Sequence, residues 1–80
     1  MKTSKEANKA AIIQAITRSI SHNESVDVEI AAENIADVTT EIFCLDDGLD
    51  CDYAQENDQT YDVWSTAGEE WRLNVTLIRS

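Results

Sequence analysis

Ile35-Ala36-Asp37-Val38-Thr39-Thr40-Glu41-Ile42-Phe43-Cys44-Leu45 decides the fold, because its apolar residues satisfy two periods at once. Ile35, Val38, Ile42 and Leu45 fall at the steps of a helical stripe, whereas Val38, Thr40, Ile42 and Cys44 alternate as on a strand. Val38, Thr39, Thr40, Ile42 and Phe43 are β-branched or aromatic. Such side chains lose rotamer freedom against the preceding turn of a helix and pack well on a pleated surface. That weighs toward a strand over residues 35–45, with a helix as the alternative.

Upstream, Val26, Val28 and Ile30 alternate with Asp27 and Glu29, the period of a strand over residues 25–31 with one wet face. Before it, Ile12, Ile13, Ile16 and Ile20 recur at helical intervals, and Ala7, Ala10, Ala11 and Ala15 widen the apolar side. Lys5, Lys9, Gln14 and Arg18 are left to face water. An amphipathic helix over residues 4–21 follows, opened by the capping-box spacing of Thr3 and Glu6 and ended by Ser21-His22-Asn23-Glu24.

Downstream, Asp46-Asp47-Gly48 signals a turn, and the acidic, amide-rich residues 50–60 read as a long loop or an irregular strand. Residues 60–65 and 70–78 read as the strands of a hairpin, with Gly68 free to take a positive dihedral between them. Trp71, Leu73, Val75 and Leu77 share one strand face that can pack on the isoleucines of the helix. The expected architecture is therefore α+β: a single domain over residues 1–80, with one N-terminal helix packed on a small three- to four-stranded antiparallel sheet.

Eighty residues with 42 % hydrophobic content can bury one modest core. No apolar stretch approaches the roughly 20 residues of a membrane span, and Met1-Lys2-Thr3-Ser4-Lys5-Glu6 lacks a signal-peptide core, so a cytoplasmic protein is expected. Cys44 and Cys51 are the only cysteines, and in that compartment free thiols are the default.

The formal net charge is −10, and it is segregated. Residues 19–71 contain no lysine or arginine, and every acidic residue except Glu6 falls within that run. A surface made only for solubility intersperses both signs. A single-sign field costs self-repulsion and accelerates encounter with basic surfaces.

The catalytic classes find few parts. His22, the one histidine, stands at the predicted helix end, where it faces solvent or caps carbonyls. Zinc would have at most His22, Cys44 and Cys51, without paired spacing. A calcium loop starting at Asp50 puts Ala54 at its fifth position and Gln55 where glycine is required; matching that glycine to Gly48 puts Phe43 first. Carboxylate pairs of the glycosidase type arise by chance among sixteen acids in so short a chain. The chain reads as no enzyme, with no cofactor. Direct binding of nucleic acid is excluded because phosphate sites need cations.

The same physics with the sign inverted is a mechanism. Carboxylates arrayed on a sheet can occupy lysines and arginines that hold phosphates, releasing counterions as DNA does. Alternate residues of a strand lie roughly 6.8 Å apart, about two phosphate steps. Asp27 with Glu29, and Asp37 with Thr39 and Glu41, form such rows, and Asp46, Asp47, Asp50 and Asp52 add a denser patch. Glu56, Asp58, Asp62, Glu69 and Glu70 complete the candidate contact set. Tyr53, Tyr61, Trp64 and Trp71 read as core or cross-strand partners; one left exposed among the acids would anchor an interface.

In size, charge and element order the whole chain resembles the small acidic phage-encoded anti-CRISPR proteins that mimic DNA, a resemblance of class that no residue motif carries. It implies an inhibitor in the bacterial host cell whose partner is a basic DNA-recognition subunit of a CRISPR interference complex, with the acids between Asp27 and Glu70 as the contact set. Anti-restriction DNA mimics are similar. An immunity protein or antitoxin neutralising a basic nuclease toxin is the alternative from another class, and a solubilising surface on an accessory protein is the third. Monomer and homodimer both remain open.

Screening over a Debye length of about 8 Å at physiological ionic strength relieves like-charge repulsion. The melting temperature is therefore expected to be higher in roughly 0.5 M than in roughly 0.02 M sodium chloride. An unchanged or lower Tm by circular dichroism would show that the folded state bears no net repulsion.

Overall fold

The computed structural model describes residues 4–43, 50–68 and 70–78. In chain order these form α1 (Ser4–His22), β1 (Ser25–Ala31), α2 (Ile35–Phe43), β2 (Cys51–Gln55), β3 (Thr60–Ser65) and β4 (Arg72–Ile78). The strands make one four-stranded sheet in the order β1-β4-β3-β2. The fold is α+β with the N-terminal helix packed on the sheet, as the sequence predicts, but the sheet is mixed: β1 runs parallel to β4, whereas β2, β3 and β4 form an antiparallel meander.

The segment 35–45, read as a strand, is helical over Ile35–Phe43. Asn34 caps it, its Oδ1 accepting from the Asp37 N–H at 3.2 Å, and the Asp37 carboxylate accepts from the Glu33 N–H at 3.3 Å. This is a short-armed variant of the capping box, which supplies acceptors for backbone donors that a helix start leaves orphaned. The two threonines that favoured a strand donate instead to the Ala36 carbonyl, at 3.0 Å from Thr39 and 2.8 Å from Thr40. Val38 and Ile42 are fully buried and Ile35 packs beside them, so the helical stripe wins on burial. Cys44, the turn at Asp46-Asp47-Gly48 and the cap at Thr3 lie outside the described residues.

The mixed sheet follows from that helix. A strand at 35–45 would have kept every connection a hairpin. With α2 in its place the chain crosses the sheet and enters β2 at the edge opposite β1, running in the same direction; two hairpins then bring β4 back beside β1. The fourth strand is supplied by residues 51–55, out of the stretch read as loop or irregular strand. Asn57 makes its turn, its Oδ1 accepting from the N–H groups of Gln59 and Thr60, each at 2.9 Å. The β3–β4 hairpin matches its expectation, with Val63 opposite Leu73 and Gly68 at φ 87°.

One core lies between the helices and one face of the sheet. Val26, Val28 and Ile30 of β1, Tyr61 and Val63 of β3, and Trp71, Leu73, Val75 and Leu77 meet Ile12, Ala15, Val38 and Ile42 there. The helix face that packs is not the full isoleucine stripe. Ile12 is buried and Ile16 partly so, but Ile13 and Ile20 are 46 % and 51 % exposed. The packed line is Asn8, Ile12, Ala15 and Ser19, where small side chains let helix and sheet approach and both polar groups find strand partners. Asn8 brackets Ala31 at the end of edge strand β1, donating from Nδ2 to its carbonyl at 2.7 Å and accepting its N–H at 3.0 Å. The Ser19 hydroxyl accepts from the Arg72 N–H at 2.9 Å and lies 2.6 Å from the Glu24 carbonyl, tying the end of α1 to the start of β4.

None of the described helices is long and apolar enough to cross a membrane.

Two isoleucines of one helix test this packing. Ile12→Ala is expected to destabilise by about 2–5 kcal/mol. Ile20→Ala is expected to stay within about 0.5 kcal/mol of the parent in urea unfolding. Equal costs would mean that α1 is rotated from the orientation described.

Candidate acidic interface

Alternation on the strands leaves a second face, opposite the helices, with nothing among the described residues packed over it. The strand register draws rows across it. Ser25, Arg72, Trp64 and Asp52 form one, Asp27, Asn74, Asp62 and Ala54 the next, and Glu29, Thr76 and Thr60 a third. With neighbouring strands about 4.8 Å apart, Asp27 and Asp62 stand roughly 10 Å from one another across β4. Asp27, Glu29 and Asp52 are exposed and Asp62 is half-buried. Between Asp27 and Asp62, the Asn74 Oδ1 is buried without a donor. Arg72 is the only cation in the described strands, and its guanidinium lies over the Trp64 ring, 5.7 Å from the centroid.

The candidate acids thus divide. Asp27, Glu29, Asp52 and Asp62 share the open sheet face, and Glu56, just beyond β2, interacts with Asp62. Asp50 and Asp58 are exposed at the two ends of the β2 region. Glu70 is exposed just before Trp71. Asp37 is exposed but belongs to the first turn of α2, on the helical side, so the strand row expected from Asp37, Thr39 and Glu41 does not form: these positions are helical and do not alternate between two faces as on a strand. The side chain of Glu41, and Asp46, Asp47 and Glu69 altogether, lie outside the described residues.

Burial and mutual repulsion shift two groups of this region. The Asp62 carboxylate, by its charge, and with smaller contributions from desolvation and a hydrogen bond from the pair, pushes the Glu56 carboxyl above its ordinary value. Burial first, then the charges of Asp52 and Asp50, push the Cys51 thiol up to about 11. Cys51 is free and half-buried, so it stays protonated and a poor nucleophile at neutral pH. His22 is exposed at the last residue of α1. Among the described residues no group of three or more His, Cys, Asp or Glu side chains is disposed to hold a metal ion.

Of the aromatics, Tyr61 and Trp71 belong to the core, and Tyr53 is 40 % exposed on edge strand β2, on the helical side by its register with Val63. Trp64 is the aromatic on the acidic face. It stands at a cleft where the end of α1, the start of β1 and the start of β4 converge, a volume of about 250 Å³ that it lines together with Glu24, Glu70, Trp71 and Arg72. Glu24 was not among the sequence candidates. It sits in the two-residue link after α1, where Asn23 takes φ 53° and the Glu24 N–H closes on the Ser19 carbonyl.

No family model, curated protein or solved structure matches the chain significantly.

The Glu56–Asp62 pair gives a signed pH prediction. A carboxyl whose folded value is raised holds its proton more tightly in the folded state, so its contribution favours folding at low pH and turns into repulsion as pH rises through the raised value. Glu56→Gln is expected to raise the urea midpoint at pH 7, with the gain vanishing as pH falls below about 4, where the wild-type carboxyl is neutral as well. A gain independent of pH would mean that the glutamine acts through something other than charge.

Proposed function

We propose that this protein is an inhibitor that binds the basic nucleic-acid-binding surface of a bacterial defence complex, of the anti-CRISPR DNA-mimic type, and blocks DNA recognition there. The observation that supports the reading is the open sheet face, where Asp27, Glu29, Asp52 and Asp62 stand on hydrogen-bonded strands with Arg72 as the lone cation of the described strands. Carboxylates on a ladder are preorganised, so presenting them to a lysine- and arginine-lined groove orders few side chains on binding. The counterions that the groove holds in place of DNA are released, and the encounter is steered by charge. The protein acts as a binding module, without catalysis.

The test is capture. The tagged protein, incubated with a lysate of its bacterial host at low salt, is expected to retain a DNA-recognition subunit that either salt or duplex DNA releases. The triple reversal Asp27→Lys, Glu29→Lys, Asp62→Lys, checked for folding by circular dichroism, is expected to weaken capture at least about 100-fold, because like charges facing each other across an interface cost several kcal/mol. Asp37→Lys, on the helical side, is expected to change it little. Recovery of a single basic toxin nuclease instead would move the assignment to an immunity protein, and capture that is insensitive to both DNA and the triple reversal would end the mimicry reading.

A further inference from the structure

We propose that the cleft between the end of α1 and the start of β4 is the seat of one cationic side chain, an arginine or lysine, of the basic partner. The proposal rests on the preceding reading that the partner is basic, and it names the point at which that partner is anchored.

The charges in the cleft do not balance. Among the residues that line it, Glu24 and Glu70 are acidic and Arg72 alone is basic. The link after α1 adds to the negative side: with Asn23 in the left-handed region and the Glu24 N–H turned back to Ser19, the helix ends here. A helix C-terminus carries a partial negative charge of about half a unit. One further cation brings the corner close to neutrality, whereas an anion meets two carboxylates and a helix end.

The walls suit the same occupant. Trp71, 5 % exposed, is fixed in the core, and Trp64 is held by its strand and by Arg72. Arg72 already lies over the Trp64 ring, so the indoles offer an incoming arginine or lysine an apolar wall for its stem rather than a vacant face for its charge. Size decides between a side chain and a free ligand. About 250 Å³ falls below the roughly 300–1,000 Å³ of small-molecule sites and is open to solvent, but it suffices for one long side chain. The cleft also ends the acidic face, since Trp64 and Arg72 occupy the first of its cross-strand rows. A groove of basic residues laid along that face runs into it, and a partly desolvated aromatic pocket at the end of a charged surface is where binding energy concentrates.

Trp64 and Trp71 are the only tryptophans in the chain, so its tryptophan emission reports on this cleft. The probes are acetylated, amidated hexa-arginine and hexa-lysine, titrated at low salt, with total binding followed by calorimetry. A saturable change in emission is expected for the parent. The Glu24→Gln, Glu70→Gln double variant is expected to bind at least tenfold more weakly and to lose the emission change. The Asp27→Asn, Glu29→Asn variant removes the same formal charge from the sheet face and is expected to keep the emission change. If the peptides bind by calorimetry while the emission stays flat, or if the two double variants weaken binding equally, the cleft is not the seat although the acidic face still attracts basic chains. If neither peptide binds, the cleft proposal falls as well. The reading beneath it is judged separately, by what the capture experiment recovers.

Discussion

Helices of 19 and 9 residues cover one side of a four-stranded sheet, and the described chain has nothing left to cover the other. Most of the remaining character of the molecule follows from that shortage. A sheet face in water must alternate buried with polar residues, and β1 obeys with Val26, Val28 and Ile30 inside and Asp27 and Glu29 outside. Water would accept serine, threonine or lysine there equally well. Carboxylates concentrated on this face make its potential strongly negative, and the chain bears the cost in Glu56, held above its ordinary titration chiefly by the charge of Asp62. A surface that repels itself is stable only when the core beneath is well connected. Here the central strand β4 supplies Leu73, Val75 and Leu77 to that core and is flanked on both sides.

The elements with one clear period were legible from the residues alone. The N-terminal helix, β1 and the β3–β4 hairpin lie within a residue or two of expectation, because in each a single pattern agrees with the local turn chemistry. Residues 35–43 were not, because propensity and burial point in opposite directions there. Propensity counts Thr39 and Thr40 as strand formers, but in a helix both hydroxyls return to the Ala36 carbonyl, and the stripe of Ile35, Val38 and Ile42 is buried only if it is helical. The signal that separates the two was in the sequence, in Asn34 and Asp37 at capping distance. That one misreading also carried the sheet with it, since a crossing helix is what makes β1 and β4 parallel. Which isoleucines of α1 pack was likewise hidden: the choice depends on Asn8 and Ser19 meeting Ala31 and Arg72, contacts between residues 23 and 53 positions apart.

The acidic site was legible as a set and not as a shape. The absence of lysine and arginine from residues 19–71 identified the population of carboxylates, but the sheet divides them, gathering Asp27, Asp52 and Asp62 from three strands and leaving Asp37 on the helical side. The corner cleft could not be read at all. Glu24 and Arg72 reach it from opposite ends of that run, and only the folded chain brings the two ends of the cation-free segment together.

Asn8 has a consequence beyond the packing of α1. Its amide presents to Ala31 the donor and the acceptor that a further strand would offer, so the last rung of the exposed edge of β1 is already filled. Along the rest of that strand, a second copy aligning itself would set Asp27 and Glu29 against their own kind. The β1 edge is therefore blocked by a side chain at one point and by charge along the remainder, and such an edge resists growth into a fibre. At this edge the two devices oppose templating by a second copy, and neither requires an additional residue of chain.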